Sequence, residues 1–67
     1  MIDLTDPATI KDARHALGLT LSEMADALEL EPPNGKDTVR KWESGARSIT
    51  GPARVAIRLL LERAGLA

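Results

Sequence analysis

Histidines, cysteines and closely spaced acids are the usual raw material of catalysis, and this 67-residue sequence offers little of it. His15 is the single histidine, cysteine is absent, and no pair of acids stands near a plausible base. A lone histidine in a first helical stretch reads as a solvated or partly packed side chain. Ser44-Gly45-Ala46 reads as a helix end rather than a phosphate-cradling loop. The sequence is therefore expected to be no enzyme, to need no cofactor and to ligate no metal. Its chemistry lies in where the cations stand.

The net charge of −1 argues at first against a polyanionic partner, but its distribution reverses that. Residues 1–35 hold two cations against seven carboxylates, a balance of −5; residues 36–67 hold seven against three, a balance of +4. A polyanion responds to local potential rather than to the total. The basic half centres on Thr38-Val39-Arg40-Lys41-Trp42-Glu43-Ser44-Gly45, which reads as one short helix. Val39 and Trp42, at i and i+3, mark its inward side, with Glu43 beside them. At about 100° per residue, Asp37, Arg40, Lys41 and Ser44 fall on the opposite side. Gly45 stops the helix by taking the left-handed conformation without steric cost. Such a helix has an apolar back and a short charged front, suited to being pressed against something polar.

The elements that must carry it follow from local signals. Residues 1–5, with Ile2 and Leu4 but no start signal, are expected to form a loose arm. Asp6-Pro7 opens a first helix of about 7–17, with Ile10, Ala13 and Leu17 inward and Gly18 at its end. Thr20 with Glu23 fits a capping box and opens a second helix of about 21–29, with Leu21, Met24, Ala25 and Leu28 inward. Glu31-Pro32-Pro33-Asn34-Gly35 breaks the pattern, and Asn34 is placed to cap a third helix of about 36–44. Ala46–Gly51 connect, with Ile49 under the core, to a fourth helix of about 52–64. Ala53, Ile57, Leu60, Leu61 and Ala64 form its inner face. Strand patterns and repeats are missing, so the expected fold is all-α, a compact four-helix domain over 1–67. A core this small buries roughly 60% of the unfolded surface, which implies marginal stability. With no apolar run of about 18 residues, no signal-peptide pattern and no cysteine, a soluble, cytoplasmic protein is expected.

Leu17-Gly18-Leu19-Thr20, then Glu23-Met24-Ala25, then Thr38 to Gly45 together resemble the Cro/repressor-like (XRE) helix-turn-helix family. The resemblance spans about residues 8–63 and implies a lambda-repressor-like arrangement. In that arrangement the second helix crosses the phosphate backbone and the third enters the major groove of DNA. Carried over residue by residue, the base-reading positions are Lys36, Asp37, Arg40 and Lys41, with Thr38 at the margin. The residue types suit that role, since lysine and arginine donate to guanine O6 and N7, and aspartate accepts from cytosine N4. Thr20 and Ser22 at the second helix start, Ser44, Arg47 and Ser48 around the end of the third, and Arg54 are the phosphate candidates. The resemblance also implies a structural ion pair, Arg14 with Glu43, locking the first helix to the third, and a core place for Trp42. The sequence departs from the family where Glu29 replaces the usual turn glycine, where the turn through 31–35 is longer, and where Leu21 replaces a polar phosphate contact.

The implied function is sequence-specific binding of double-stranded DNA by a homodimeric transcriptional repressor of phage or bacterial type, acting on a palindromic operator. Val55 and Leu59, a second apolar stripe on the last helix rimmed by Arg58, Glu62 and Arg63, suit a two-fold contact. Within one chain, the same two residues could instead cover Ile2 and Leu4. The alternative function is a protein-interaction module, such as an antitoxin or adaptor, built on the same bundle.

Overall fold

The structure, a computed structural model, describes residues 2–66. Each helix starts where local chemistry can satisfy free backbone N–H groups. The Asp6 carboxylate accepts from the Ala8 amide ahead of α1 (Pro7–Ala16). Thr20 and Glu23 close both halves of the capping box at α2 (Leu21–Ala27), hydroxyl to amide at 3.1 Å and amide to carboxylate at 2.9 Å. The Thr50 hydroxyl accepts from the Ala53 amide at the start of α4 (Gly51–Arg63). α3 (Gly35–Ser44) is the exception. Asn34 stands at its cap position, but its side chain makes no capping bond. Its carbonyl instead accepts from the Thr38 amide and hydroxyl, at 2.9 and 3.0 Å. The expected side-chain cap is therefore absent: the carbonyl makes the ordinary first bond of the helix, with the Thr38 hydroxyl added to it.

Helix ends follow a common device. Leu19 and Leu30 donate their amides back to Arg14 and Ala25, and the residue before each, Gly18 or Glu29, has positive φ. This is the Schellman turn. At the end of α2 the left-handed residue is Glu29, at φ 56°, so the turn keeps the backbone form that a glycine usually supplies. Because this turn begins at Leu28, α2 is two residues shorter than expected.

α3 packs against both α1 and α2. Ile10 and Ala13 from α1, Met24 and Ala25 from α2, Val39 and Trp42 from α3, and Ile57 and Leu61 from α4 are buried together, with Ile49 of the connector beneath them. Leu4 joins them at 1% exposure. The segment before α1 is therefore no loose arm over its described part, residues 2–5: Leu4 is a core residue, and Ile2 packs half-buried against the core. Met1 lies outside the described residues. Ala64, expected on the inner face of α4, is exposed, because the helix ends at Arg63 and the chain turns there. The fold is thus all-α, four helices with no strand among the described residues. No helix among those residues is long and apolar enough to cross a membrane.

Candidate nucleic-acid interface

The site is built on the outer side of α3, and its geometry begins with how the inner side is held. Val39 and Trp42 are buried, so the helix cannot roll without opening the core. A second constraint is polar. Arg14 Nε and Nη2 donate to the two Glu43 carboxylate oxygens at 2.7 and 3.0 Å, a two-point bond between α1 and α3. The side chains are 11% and 8% exposed, which makes the pair largely buried. The Glu43 hydrogen bond holds the Arg14 guanidinium above its ordinary value, against the opposing pull of burial. Arg14 Nη1 also donates to the Leu19 carbonyl at 3.0 Å, so one side chain braces α1, the α1–α2 turn and α3. That third contact had no sequence signal, since it depends on where the turn places one carbonyl.

The N-terminal end of α3 is seated by contact. Gly35 is buried, and a Cβ there would lie 3.0 Å from Leu30 Cβ and 3.1 Å from Ala25 Cβ. The longer turn therefore returns the chain to α2 so closely that a Cβ at 35 would need Leu30 and Ala25 to give by a few tenths of an ångström. In the sequence Gly35 reads as an ordinary turn glycine, because close approach is a tertiary fact.

With its back and start so fixed, α3 presents Lys36, Asp37, Arg40 and Lys41, all exposed, on its other side. Arg40 Nη1 donates to Asp37 Oδ1 at 3.0 Å, and these side chains are 57% and 55% exposed. Pairing of Asp37 with Arg40 was not expected from the sequence, although their opposite charges at i,i+3 are a signal for it. Thr38 is turned away. Half-buried, it lines a groove of about 380 Å³ with Leu28, Leu30, Trp42, Arg47 and Ala53.

The other candidates divide. Arg47 and Ser48 are exposed just past Gly45, and the Arg47 amide donates to the Lys41 carbonyl, folding this segment back onto the end of α3. Ser22 is exposed at the start of α2. Thr20 and Ser44 are already engaged. The Thr20 amide donates to the Glu23 carboxylate and its hydroxyl oxygen accepts from the Glu23 amide, which leaves only the hydroxyl hydrogen to donate elsewhere. The Ser44 hydroxyl donates to the Lys41 carbonyl and accepts from the Ala46 amide. Arg54 is half-buried and near enough to Asp3 to help lower its carboxyl, behind the hydrogen bonds from the Thr5 hydroxyl and amide. On α4, Val55 and Leu59 are 54% and 48% exposed and Glu62 and Arg63 are exposed beside them. The described part of the N-terminal segment therefore enters the core without covering the stripe.

No group of three or more histidine, cysteine or acidic side chains among the described residues could hold a metal ion. Among curated proteins, the chain is similar to the Type II methyltransferase M.SsoII of Shigella sonnei, 44% identical over 50 residues. That stretch is 75% of this chain but 13% of the methyltransferase, so the chain spans only a small part of that relative's length. No family model matches the sequence, and no solved structure matches the fold.

Proposed function

We propose that this protein binds double-stranded DNA sequence-specifically through the outer side of α3 and acts as a homodimeric transcriptional repressor of phage or bacterial type. One observation carries the reading. α3 is fixed from behind by Trp42, Val39 and the Arg14–Glu43 pair, while Lys36, Arg40 and Lys41 stand exposed together in front. A rigid helix with a cationic, hydrogen-bonding front is what major-groove reading requires, because guanine presents two acceptors there. Arg47 and Ser48 beside the helix end supply phosphate contacts, which set position rather than sequence. The similarity to the Shigella methyltransferase covers too little of that protein to bring methyl transfer to this chain. The role is binding without a cofactor, in the cytoplasm.

Dimerisation rests on Val55 and Leu59. An exposed apolar pair rimmed by Glu62 and Arg63 lets each copy offer the same patch to the other. Two reading helices one DNA turn apart, about 34 Å, then meet two half-sites. Selection of bound sequences from random duplex DNA tests both parts, with a palindromic motif as the expected outcome. Recovery of unenriched sequence would remove the DNA reading and favour an interaction module. A wild type that sediments as a monomer at tens of micromolar, indistinguishable from Leu59→Glu, would remove the dimer.

A further inference from the structure

The Asp37–Arg40 pair is out of place on a surface meant for a polyanion. It puts a carboxylate in the middle of the cationic front and engages one of its three cations. Folding does not account for it, since an exposed i,i+3 pair adds little to stability. A first-turn aspartate is also favoured by the helix dipole, but that needs no arginine partner.

The hydrogen bond itself suggests the use. Arginine carries five N–H donors in a planar fork, and guanine's major-groove edge offers two acceptors, O6 and N7. With Nη1 donating to Asp37 Oδ1 at 3.0 Å, the guanidinium is biased toward one orientation while Nε and Nη2 stay free to donate in parallel. We propose that Asp37 is a specificity-determining positioning residue that acts through Arg40, aligning its fork for one guanine per half-site and opposing contacts that end on phosphate. Over adenine or thymine the fork meets at most one acceptor and faces a donor or a methyl group. On non-specific DNA the carboxylate is repelled by the backbone and already offsets part of Arg40's charge. Lys36 and Lys41 have no carboxylate within salt-bridge distance among the described residues, so their attraction is left whole.

This inference rests on the DNA-binding reading, and the experiment separates the two. Wild type, Asp37→Asn, Arg40→Ala and the double variant are each put through selection from a random duplex pool. Each is then titrated with the wild-type-selected duplex and with the unselected pool at one salt concentration. For Asp37→Asn the expected result is a melting temperature lowered by no more than about 5 °C and about two- to fivefold tighter binding to the pool. Its preference for guanine at one position per half-site should fall about tenfold. In the Arg40→Ala background the same change should alter base preference less than about twofold. A wild type that enriches a motif, with Asp37→Asn keeping the full guanine preference, would overturn the positioning role and leave DNA binding intact. An Asp37→Asn effect that persists without Arg40 would overturn it too, because Asp37 would then touch a base directly. A wild type that enriches nothing would overturn both readings.

Discussion

α3 carries two arginine–carboxylate pairs of nearly equal length and opposite use. Glu43 meets Arg14 at 2.7 Å, with side chains 8% and 11% exposed; Asp37 meets Arg40 at 3.0 Å, with 55% and 57% exposed. The buried pair is largely shielded from water and no second carboxylate stands within salt-bridge distance, so breaking it strands a charge. The exposed pair competes with water continuously and gives up its partner at little cost. Distance hardly separates the two; solvation does. One pair decides where the helix sits, and the other lies on the face that α3 offers.

The sharpest way to break this comparison is Glu43→Ala. It leaves Arg14 buried beside the Leu19 carbonyl without its carboxylate, at an expected cost of about 3–5 kcal/mol, enough to unfold a domain this small. A thermal melt within a degree or two of wild type would put both pairs in one class. Gly35→Ala touches neither pair but disturbs the seat of α3. The added Cβ falls 3.0 Å from Leu30 Cβ, so a destabilisation of about 1–3 kcal/mol is expected in urea. Arg40→Ala and Lys41→Ala should leave stability within about 0.5 kcal/mol while weakening specific DNA binding by about 1–3 kcal/mol each. Arg47→Ala should weaken all sequences alike and flatten the salt dependence. Equal behaviour of the three across a set of mutated duplexes would erase the division into reading and anchoring residues.

The smallest effect belongs to a third polar cluster, at Asp3. Hydrogen bonds from the Thr5 hydroxyl and amide hold its carboxyl below the ordinary carboxylate value. A depressed folded value means that its stabilisation is present at neutral pH, above the unfolded value, and is lost as pH falls through the folded one. Thr5→Val should raise the Asp3 midpoint in an NMR titration and flatten the acid limb of the stability curve slightly. An unmoved midpoint would show that the hydroxyl contributes nothing.

The helices were legible because their starts are chemically local. Asp6-Pro7 and Thr20 with Glu23 each satisfy backbone donors within a few residues, so no tertiary knowledge was needed. The Arg14–Glu43 pair spans 29 positions and was legible only through a family resemblance. What the sequence hid was tertiary. Leu4 has too short a segment around it to show any periodicity, and Gly35 looks like any loop glycine until α2 is placed beside it. Glu29 disguises a left-handed turn because its type does not advertise one. On the candidate interface, Asp37, Arg40 and Lys41 could be placed on one side by helix geometry alone, and Lys36 joined them only through the family resemblance. That Thr38 turns into a groove, and that the Ser44 hydroxyl bonds within its own helix end, depended on side-chain geometry no pattern encodes.

The central claim is that the outer side of α3 reads base edges in the major groove. Guanine N7 methylation interference on the selected duplex tests it most directly, because the methyl group blocks the acceptor that Arg40 is expected to use. Methylation at one guanine in each half-site should abolish wild-type binding, and Arg40→Ala, though weaker, should become indifferent to that methyl group. Wild-type binding untouched by N7 methylation anywhere in the site would contradict the claim.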